Sequence, residues 1–166
     1  NQEVAIVGAG DSACEEALYL ANICAKVTML VRRDEFRASQ IMKERVLKNE
    51  KINVLFNTET EEIIGDGQVI RAIRVRNNKT NEIKEVPITG FFVAIGHKPN
   101  TEVFKPYIDT DEVGYIKNVP DTSLTNVAGV FVAGGVADTR YRQAITAAGS
   151  GCMAALDAEK YLMTLE

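Results

Sequence analysis

The sequence predicts an α/β fold: a Rossmann-like, three-layer nucleotide-binding domain that carries an inserted β-meander. The first observation is a short β-branched run, Val4–Val7, which stops at Gly8 and Gly10 and is followed at once by an amphipathic helix pattern. The second is another apolar run, Val27–Val31, which ends in arginines. Strand, glycine-rich turn, helix and strand in this order are typical of a site for a dinucleotide that carries an extra phosphate.

Composition is that of a globular protein and argues against several function classes. The 166 residues are 46% hydrophobic and 25% charged, with a formal net charge of −4. An acidic chain is a poor general binder of nucleic acid or membrane surfaces, although a local basic patch can hold a phosphate. No apolar run approaches the roughly 18 residues of a membrane span, and no signal peptide is evident. We expect neither nucleic acid nor a membrane as partner.

The cysteines and the single histidine, His97, do not predict a metal site. Cys14, Cys24 and Cys152 form no CxxC pair and no metal-ligand spacing. Cys14 and Cys24 fall in or beside the first predicted helix, where we expect buried thiols that act as small hydrophobic side chains. Free thiols are typical of a reducing compartment, so we expect a cytoplasmic protein.

The first third of the chain alternates strands with helices. The pattern predicts strands at Glu3–Val7, Lys26–Val31 and Ile52–Asn57, with helices at Asp11–Ile23 and Ala38–Asn49. In the second helix we expect three inward-facing side chains, Ile41, Val46 and Leu47.

After the third strand the sequence changes to short segments in which apolar and polar residues alternate, and this pattern predicts a β-meander. Its strands are expected at Glu61–Gly65, Val69–Arg76 and Ile83–Ile88, with Val69, Ile73 and Val75 on the apolar face of the second. The continuous apolar run Phe91–Ile95 is typical of a buried parallel strand.

Gly96–Asn100 breaks the pattern and predicts a domain boundary, which divides the chain into residues 1–97 and 98–166. The second part is expected to contain a turn near Glu102–Tyr107, a hairpin around Gly114–Ile116, a buried strand at Val130–Ala133 and a helix at Gln143–Leu162. The many small residues of that helix indicate close packing against a sheet or a ligand.

The glycine-rich turn has the chemistry of a pyrophosphate site. Gly8 permits a tight turn, Gly10 leaves the backbone open to a pyrophosphate, and Ala13 lets the helix lie close to the strand. Asp11 and Ser12 open the helix, whose free N–H groups and dipole favour phosphate. We predict that these five residues bind the dinucleotide.

Three arginines stand where a site for NAD would carry an acid. The end of the second strand, about 20 residues on, holds Arg32 and Arg33, with Arg37 close by. Guanidinium groups bind phosphate in a bidentate manner and stay charged. We predict an NADPH-selective site in which they clamp the 2′-phosphate; the alternative is an ordinary solvated turn.

These motifs together resemble one family, the low-molecular-weight, bacterial-type thioredoxin reductases. The similar segments cover essentially the whole chain: Gly8–Ala17, Val31–Ala38, Val93–Thr101, Tyr141–Ala144 and Gly149–Ala155. Val31 replaces the histidine that usually opens the family's arginine motif.

The resemblance implies a flavoprotein that passes a hydride from NADPH to FAD, then electrons to a CxxC pair and on to thioredoxin, within a homodimer. Residues 1–97 would be the NADPH domain, including Ile95 and Gly96, and residues 98–166 the C-terminal half of the FAD domain. The family's CxxC and first FAD half are not in this sequence. We therefore expect no catalytic residue in this sequence, and we expect the isolated chain to be unable to catalyse disulfide reduction.

In the family the second FAD fingerprint ends Gly-Asp, whereas this chain has Gly134 and Gly135. Gly135 cannot accept the hydrogen bond that the Asp takes from the ribityl chain, so FAD binding is expected to be weakened; Asp138 is a possible substitute. The resemblance also implies flavin contacts for the three residues at the start of the last helix, Arg142, Gln143 and Ala144.

Two alternatives stay open. The chain could be an NADPH-binding module without catalysis. It could also come from a related flavoprotein, either a ferredoxin–NADP reductase or the reductase of an alkyl hydroperoxide system.

Overall fold

The computed structural model describes residues 2–165, whose backbone divides into two units between Gly96 and His97. Among its described residues, the first unit has two helices, α1 (Asp11–Ile23) and α2 (Gln40–Leu47). Its strands are β1 (Glu3–Val7), β2 (Lys26–Val31), β3 (Ile52–Phe56), β4 (Thr58–Gly65), β5 (Ile70–Asn77), β6 (Ile83–Pro87) and β7 (Gly90–Val93). The α/β fold with an inserted meander is confirmed.

The strands of the first unit form two sheets. β3, β2, β1 and β7 lie side by side in that order as a parallel sheet, with Val4 opposite Val27 on one side and Gly90 on the other. β4, β5 and β6 form an antiparallel meander. In a parallel sheet all carboxyl ends meet at one edge, so the turns after β1, β2 and β3 are neighbours.

Side chains of the parallel sheet alternate between two apolar clusters. Val4 and Ile6 of β1 pack with Ala13 and Ala17 of α1, and the residue between them, Ala5, belongs to the other cluster. That other cluster includes Leu30 of β2 with Ile73, Val75 and Ile88 of the meander region. The result is three layers: helices, parallel sheet and meander.

The second helix is shorter than predicted, and two of its expected inner residues face solvent. Ile41 is 66% exposed and Leu47 59% exposed, whereas Val46 is buried and Met42 packs against the helix-side cluster. Successive helical residues are rotated by about 100°. Met42 and Val46, four apart, share the inner face, which turns Ile41 and Leu47 away from it.

β7 and the start of β5 are also more exposed than predicted. Among the described residues β7 has a strand neighbour on one side only, β1, and Phe92 and Val93 are 39% and 60% exposed. A parallel strand is buried on both faces only where the layers above and below extend over it. Val69, expected on the apolar face, lies in the turn before β5 and is 57% exposed.

The second unit has little regular structure before its long helix, α3 (Ala144–Met163). A turn occupies residues 102–107, and single antiparallel bridges join Thr110 to Ile116 and Leu124 to Phe131. The predicted strand at 130–133 is wrong, because this segment pairs with its neighbour through only that one bridge. Its small core contains Ile108, Ile116 and Val132.

The small residues of α3 do not pack against a sheet within the described part of the chain. None of the helix residues is fully buried. A Cβ atom added at Gly149 or at Gly151 would meet no other atom within 4 Å. Across residues 2–165, none of the helices has both the length and the apolar character to cross a bilayer.

Candidate functional site

Gly8 follows β1 and lies in close contact with Ala13 of α1 and with Ala94, which follows β7. A Cβ atom on Gly8 would lie 2.4 Å from the carbonyl oxygen of Ala94 and 2.6 Å from the Cβ of Ala13, which is fully buried. The Gly8 N–H donates to the carbonyl of Leu30 on β2 at 3.1 Å. Only glycine fits here, because both neighbouring groups belong to packed elements.

Gly10 has the opposite surroundings. It is the N-cap of α1 and has extended backbone angles, and a Cβ atom there would meet nothing within 4 Å. Asp11 and Ser12 of the first helical turn are exposed. The first N–H groups of a helix lack intrahelical partners and carry the positive end of its dipole. The open space beside Gly10 is therefore suited to an anion.

The segment that carries the three arginines is fastened to this turn. The carbonyl of Ala9 accepts hydrogen bonds from the N–H groups of Arg37 at 2.8 Å and Ala38 at 3.0 Å. The carboxylate of Asp11 accepts two more, from the amide and the hydroxyl of Ser39. Those two bonds hold the pKa of Asp11 below its ordinary value, and its side chain is directed to Ser39.

Two adjacent clefts open at this edge of the sheet. The first, which we call the glycine cleft, has a volume of about 460 Å³ and is lined by Val7, Gly8, Ala9, Leu30, Arg32, Arg37, Thr58, Glu59, Thr60, Phe91 and Ile95. The second, the meander cleft, has a volume of about 430 Å³ and is lined by Arg32, Arg33, Asp34, Asn57, Glu59, Asn78 and Lys79. They share Arg32 and Glu59.

The structure brings together five of the ten residues singled out for the dinucleotide, whereas Gly10, Asp11, Ser12, Ala13 and Gly96 line neither cleft. Gly8, Arg32, Arg37 and Ile95 line the glycine cleft, whereas Arg33 lines the meander cleft. Ala13 is buried below Gly8 and does not line either cleft. Gly96, the last residue of this unit, has φ of +103°, a conformation that favours glycine, and open space at its Cβ position.

The three arginines are exposed, and within residues 2–165 none of them forms an ion pair with a carboxylate. Arg71, Arg74 and Arg76 of the meander are all ion-paired. The guanidinium groups at the clefts therefore remain available for an anionic ligand, unlike those on the meander.

Two buried polar atoms at the clefts lack partners. Asn57 Oδ1 and Thr60 Oγ1 make no hydrogen bond to any described residue. Asn57 lines the meander cleft and Thr60 the glycine cleft. A buried polar group without a partner is costly, so these two atoms are sites of unsatisfied polarity next to the clefts.

Sequence reasoning missed the residues that follow β3. Asn57, Thr58, Glu59 and Thr60 line the clefts because β3 ends at the same edge of the sheet as β1 and β2. That edge is the usual ligand side of a parallel sheet, and this rule could have identified them. Lys79 lies on the turn between β5 and β6, and no pattern in the sequence places that turn beside the clefts.

In the second unit, Gly134 and Gly135 form a short 3-10 turn, Gly134–Val136. Gly134 has φ of +74° and its N–H donates to Ser150 Oγ of α3 at 2.9 Å. Gly135 has no positive φ, and a Cβ atom added there would meet nothing within 4 Å. A longer side chain at position 135 therefore has room.

Asp138 does not substitute for an acid at position 135. Its carboxylate accepts from the N–H groups of Arg140, Tyr141 and Arg142 and from Thr146 Oγ1. The bond from the Tyr141 N–H is the largest cause that lowers its pKa, which falls to about 2. A carboxylate has about four acceptor positions, and three N–H groups of the following loop and the Thr146 hydroxyl of α3 occupy all of them.

The Asp138 loop leads directly into α3. Arg142 has φ of +52°, unusual for a non-glycine residue, and Gln143 is the N-cap of the helix that Ala144 begins. Gly134 lines a cleft with Tyr141 and Thr146, but Arg142, Gln143 and Ala144, which lie between those two in the chain, do not line it. Within residues 2–165, no group of three or more potential metal ligands is present.

Comparison with known proteins identifies similar sequences. Residues 1–151 match the family model described as pyridine nucleotide-disulphide oxidoreductase. Thioredoxin reductase 1 of Saccharomyces cerevisiae is 57% identical over 166 residues, which are 100% of this chain and 52% of that protein. Thioredoxin reductase of Streptomyces coelicolor is 47% identical over 99% of this chain and 51% of its own length. The chain spans about half the length of the curated relatives it matches.

The chain is also similar to solved structures of thioredoxin reductases. Thioredoxin reductase from Giardia duodenalis superposes with a TM-score of 0.84 at 42% identity, covering 98% of this chain and 53% of that one. The enzyme from Streptococcus pyogenes gives a TM-score of 0.89 at 34% identity, covering 99% and 53%.

Proposed function

Since this chain belongs to the pyridine nucleotide-disulphide oxidoreductase family, we propose that it is part of a flavin-dependent thioredoxin-disulfide reductase that uses NADPH. In this proposal residues 1–97 bind NADPH and residues 98–166 supply the C-terminal half of the FAD-binding domain. The relatives named thioredoxin reductase support the activity. Thioredoxin and a second copy of the chain are the proposed partners.

One observation carries the proposal for NADPH. The segment with Arg32, Arg33 and Arg37 is fastened to the glycine-rich turn, so unpaired guanidinium groups stand beside an open helix N-terminus. NADPH carries negative charge for both places, on its pyrophosphate and on its 2′-phosphate. NADH carries it on the pyrophosphate only. The two residues directly after β2 are Arg32 and Arg33, so the acid that would bond the ribose 2′-hydroxyl of NADH is not at that position.

The residues fit NADPH. Gly10 leaves room for the pyrophosphate at the N-terminus of α1, and the arginines face the two clefts. When bound, NADPH supplies a hydride. The chain's residues do the binding: backbone N–H groups hold the pyrophosphate, guanidinium groups hold the 2′-phosphate, and Ile95 borders the remaining part of the glycine cleft.

The residues fit FAD only in part. Gly134 on the 3-10 turn offers backbone groups in this unit, as do Arg142, Gln143 and Ala144 at the start of α3. Gly135 provides no acceptor for the ribityl chain, and Asp138 is engaged within its own loop. We therefore assign FAD a weakened site in this part of the chain.

Nucleotide binding without turnover is the second candidate. The glycine turn, the arginine segment and both clefts lie in the first unit, before His97. If this unit binds NADPH alone, the chain is an NADPH-binding module. Measuring disulfide reductase activity with NADPH and thioredoxin distinguishes this module from a catalytic reductase.

The proposed compartment is the cytoplasm. Relatives from Kluyveromyces lactis and a second Saccharomyces cerevisiae protein carry the word mitochondrial in their names. Fluorescence microscopy of the tagged natural protein discriminates between the two compartments.

The deciding experiment is calorimetric titration of the chain with NADPH and NADH. We expect NADPH to bind more tightly and the double variant Arg32→Ala/Arg33→Ala to lose about tenfold or more for NADPH alone, because each charge-assisted hydrogen bond contributes roughly 1.5–3 kcal/mol. Arg45→Ala, on the exposed side of α2, is the matched control. Equal losses for both nucleotides, or preference for NADH in the parent chain, would contradict the proposal.

A further inference from the structure

The turn between β5 and β6 reaches the arginine segment. The side-chain amide of Asn78 donates to the carbonyl of Arg32 at 2.8 Å, and the Asn78 N–H donates to the carbonyl of Asn57 at 2.7 Å. The Asn57 N–H in turn donates to the carbonyl of Arg33 at 2.9 Å. One hydrogen bond thus joins the turn directly to Arg32, and two more join it to Arg33 through Asn57.

The turn itself has a defined conformation. Asn77 Oδ1 accepts from the N–H groups of Lys79 at 2.9 Å and Thr80 at 3.0 Å, and the Asn81 N–H donates to the Asn77 carbonyl at 2.8 Å. Asn81 has φ of +59°, which asparagine tolerates better than most residues. The backbone of Lys79 is therefore held in place while its side chain stays exposed.

The meander cleft has more cationic than anionic groups available to a ligand. Arg32, Arg33 and Lys79 line it without forming an ion pair to any carboxylate among residues 2–165. Two carboxylates also line it, Asp34 and Glu59. Glu59 lies 3.6 Å from a guanidinium nitrogen of Arg76, which offsets its charge.

We propose that Lys79 is a specificity-determining residue of the nucleotide site, which contributes a further cation to a phosphate on the 2′-position of the adenosine ribose. The inference rests on the proposed function, since it assigns the meander cleft to the 2′-phosphorylated end of NADPH. Arg32 lines both clefts and so marks where a nucleotide in the glycine cleft would enter the meander cleft.

The chemistry suits a lysine on an anchored turn. An ammonium group is a point charge on a flexible stem and needs no fixed angle to a phosphate, whereas a guanidinium binds it in a bidentate manner. The arginines would set the position of the phosphate, and Lys79 would add charge from the turn between β5 and β6. Its contribution is expected to weaken with ionic strength, because exposed charges are screened by salt.

The test is calorimetric titration with adenosine 2′,5′-bisphosphate and with 5′-AMP, which differ only in the 2′-phosphate. Lys79→Ala is expected to weaken binding of the bisphosphate about three- to tenfold and to leave 5′-AMP unchanged. Lys84→Ala is the matched control: Lys84 is an exposed lysine on β6 of the same meander, and it lines neither cleft. Lys79→Arg is expected to restore most of the affinity.

The outcomes separate the inference from the proposed function. If the parent chain does not prefer the bisphosphate over 5′-AMP, the NADPH assignment itself fails. If the parent chain prefers it and Lys79→Ala keeps that preference in full, only the role of Lys79 is overturned. Equal weakening by Lys84→Ala would also overturn it, because the effect would then be a general loss of positive charge.

A second variant tests the anchoring. Asn78→Ala removes the bond to the carbonyl of Arg32 and leaves every cation in place. We expect a several-fold loss for the bisphosphate in a variant whose circular dichroism and melting curve show that it folds. Unchanged affinity in the folded variant would mean that the turn need not be fastened, and the positional part of the proposal would be wrong.

Discussion

The carboxylate of Asp11 accepts two hydrogen bonds from Ser39, one from the amide at 2.9 Å and one from the hydroxyl at 2.8 Å. Asp11 begins α1, and Ser39 ends the segment that carries the arginines. The acid in the first turn of the helix therefore acts as a fastener between the proposed pyrophosphate and 2′-phosphate sites. Its negative charge is balanced by donors instead of facing the ligand.

Asp11→Ala is expected to loosen the arginine segment and to weaken NADPH binding several-fold. Asp11→Asn keeps the acceptor oxygen and removes the charge. The affinity of this variant for NADPH should therefore equal that of the parent chain or exceed it. Comparing the two variants separates the hydrogen bonds from the charge. The measurements are NADPH titration and hydrogen exchange at the amides of Arg37, Ala38 and Ser39; equal behaviour of the two variants would contradict the prediction.

Gly8→Ala and Gly10→Ala should differ in kind. The added methyl group at Gly8 would lie 2.4 Å from the carbonyl oxygen of Ala94, so we expect a stability loss of about 1–3 kcal/mol or more. At Gly10 the same methyl group meets no protein atom within 4 Å, so stability should hold while nucleotide binding falls. Urea unfolding together with NADPH titration checks both, and a Gly10→Ala variant that binds normally would count against the pyrophosphate site.

Ionisation of the buried Cys14 thiol is expected to lower the free energy of unfolding at high pH. Burial is the main cause that raises the pKa of its thiol from 9.0 to about 11, with smaller contributions from Asp11 and Glu15. Because the folded-state pKa is raised, the stabilisation is complete below pH 9 and is lost as the pH rises through about 11, by at most roughly 2–3 kcal/mol. Urea unfolding at pH 8 and pH 11 should show a smaller decline for Cys14→Ala than for the parent; identical declines would refute the assignment.

Gly135→Asp is expected to raise affinity for FAD. A Cβ atom at this position meets open space, so the carboxylate can be added without displacing neighbours. Gly135→Ala fills the same space without an acceptor and serves as control. Flavin fluorescence titration should show tighter binding for the Asp variant only, about five- to a hundredfold if a buried hydrogen bond is restored. Equally tight binding by the Ala and Asp variants would contradict the prediction, because the gain would then come from a less flexible backbone and not from the carboxylate.

Much of the first unit could be predicted from local pattern. The strands Glu3–Val7 and Lys26–Val31 and the helix Asp11–Ile23 have the predicted bounds, because β-branched runs, a glycine turn and a regular apolar spacing all point to the same structure. The approach of Gly8 to Ala13 also follows from residue type. In the second helix apolar character alone does not identify the buried face: Ile41 and Leu47 are apolar but lie off it.

What the sequence by itself determined was the order of the elements, the glycine turn and the charge of the arginine segment, since these depend on residues close together in the chain. Only the tertiary structure decided which distant residues share the clefts. Asn57 and Asn78 meet the arginine segment because a parallel sheet brings the ends of β2 and β3 to one edge and the folded meander returns its second turn to that edge. Tertiary packing sets that proximity, and a linear pattern does not encode it.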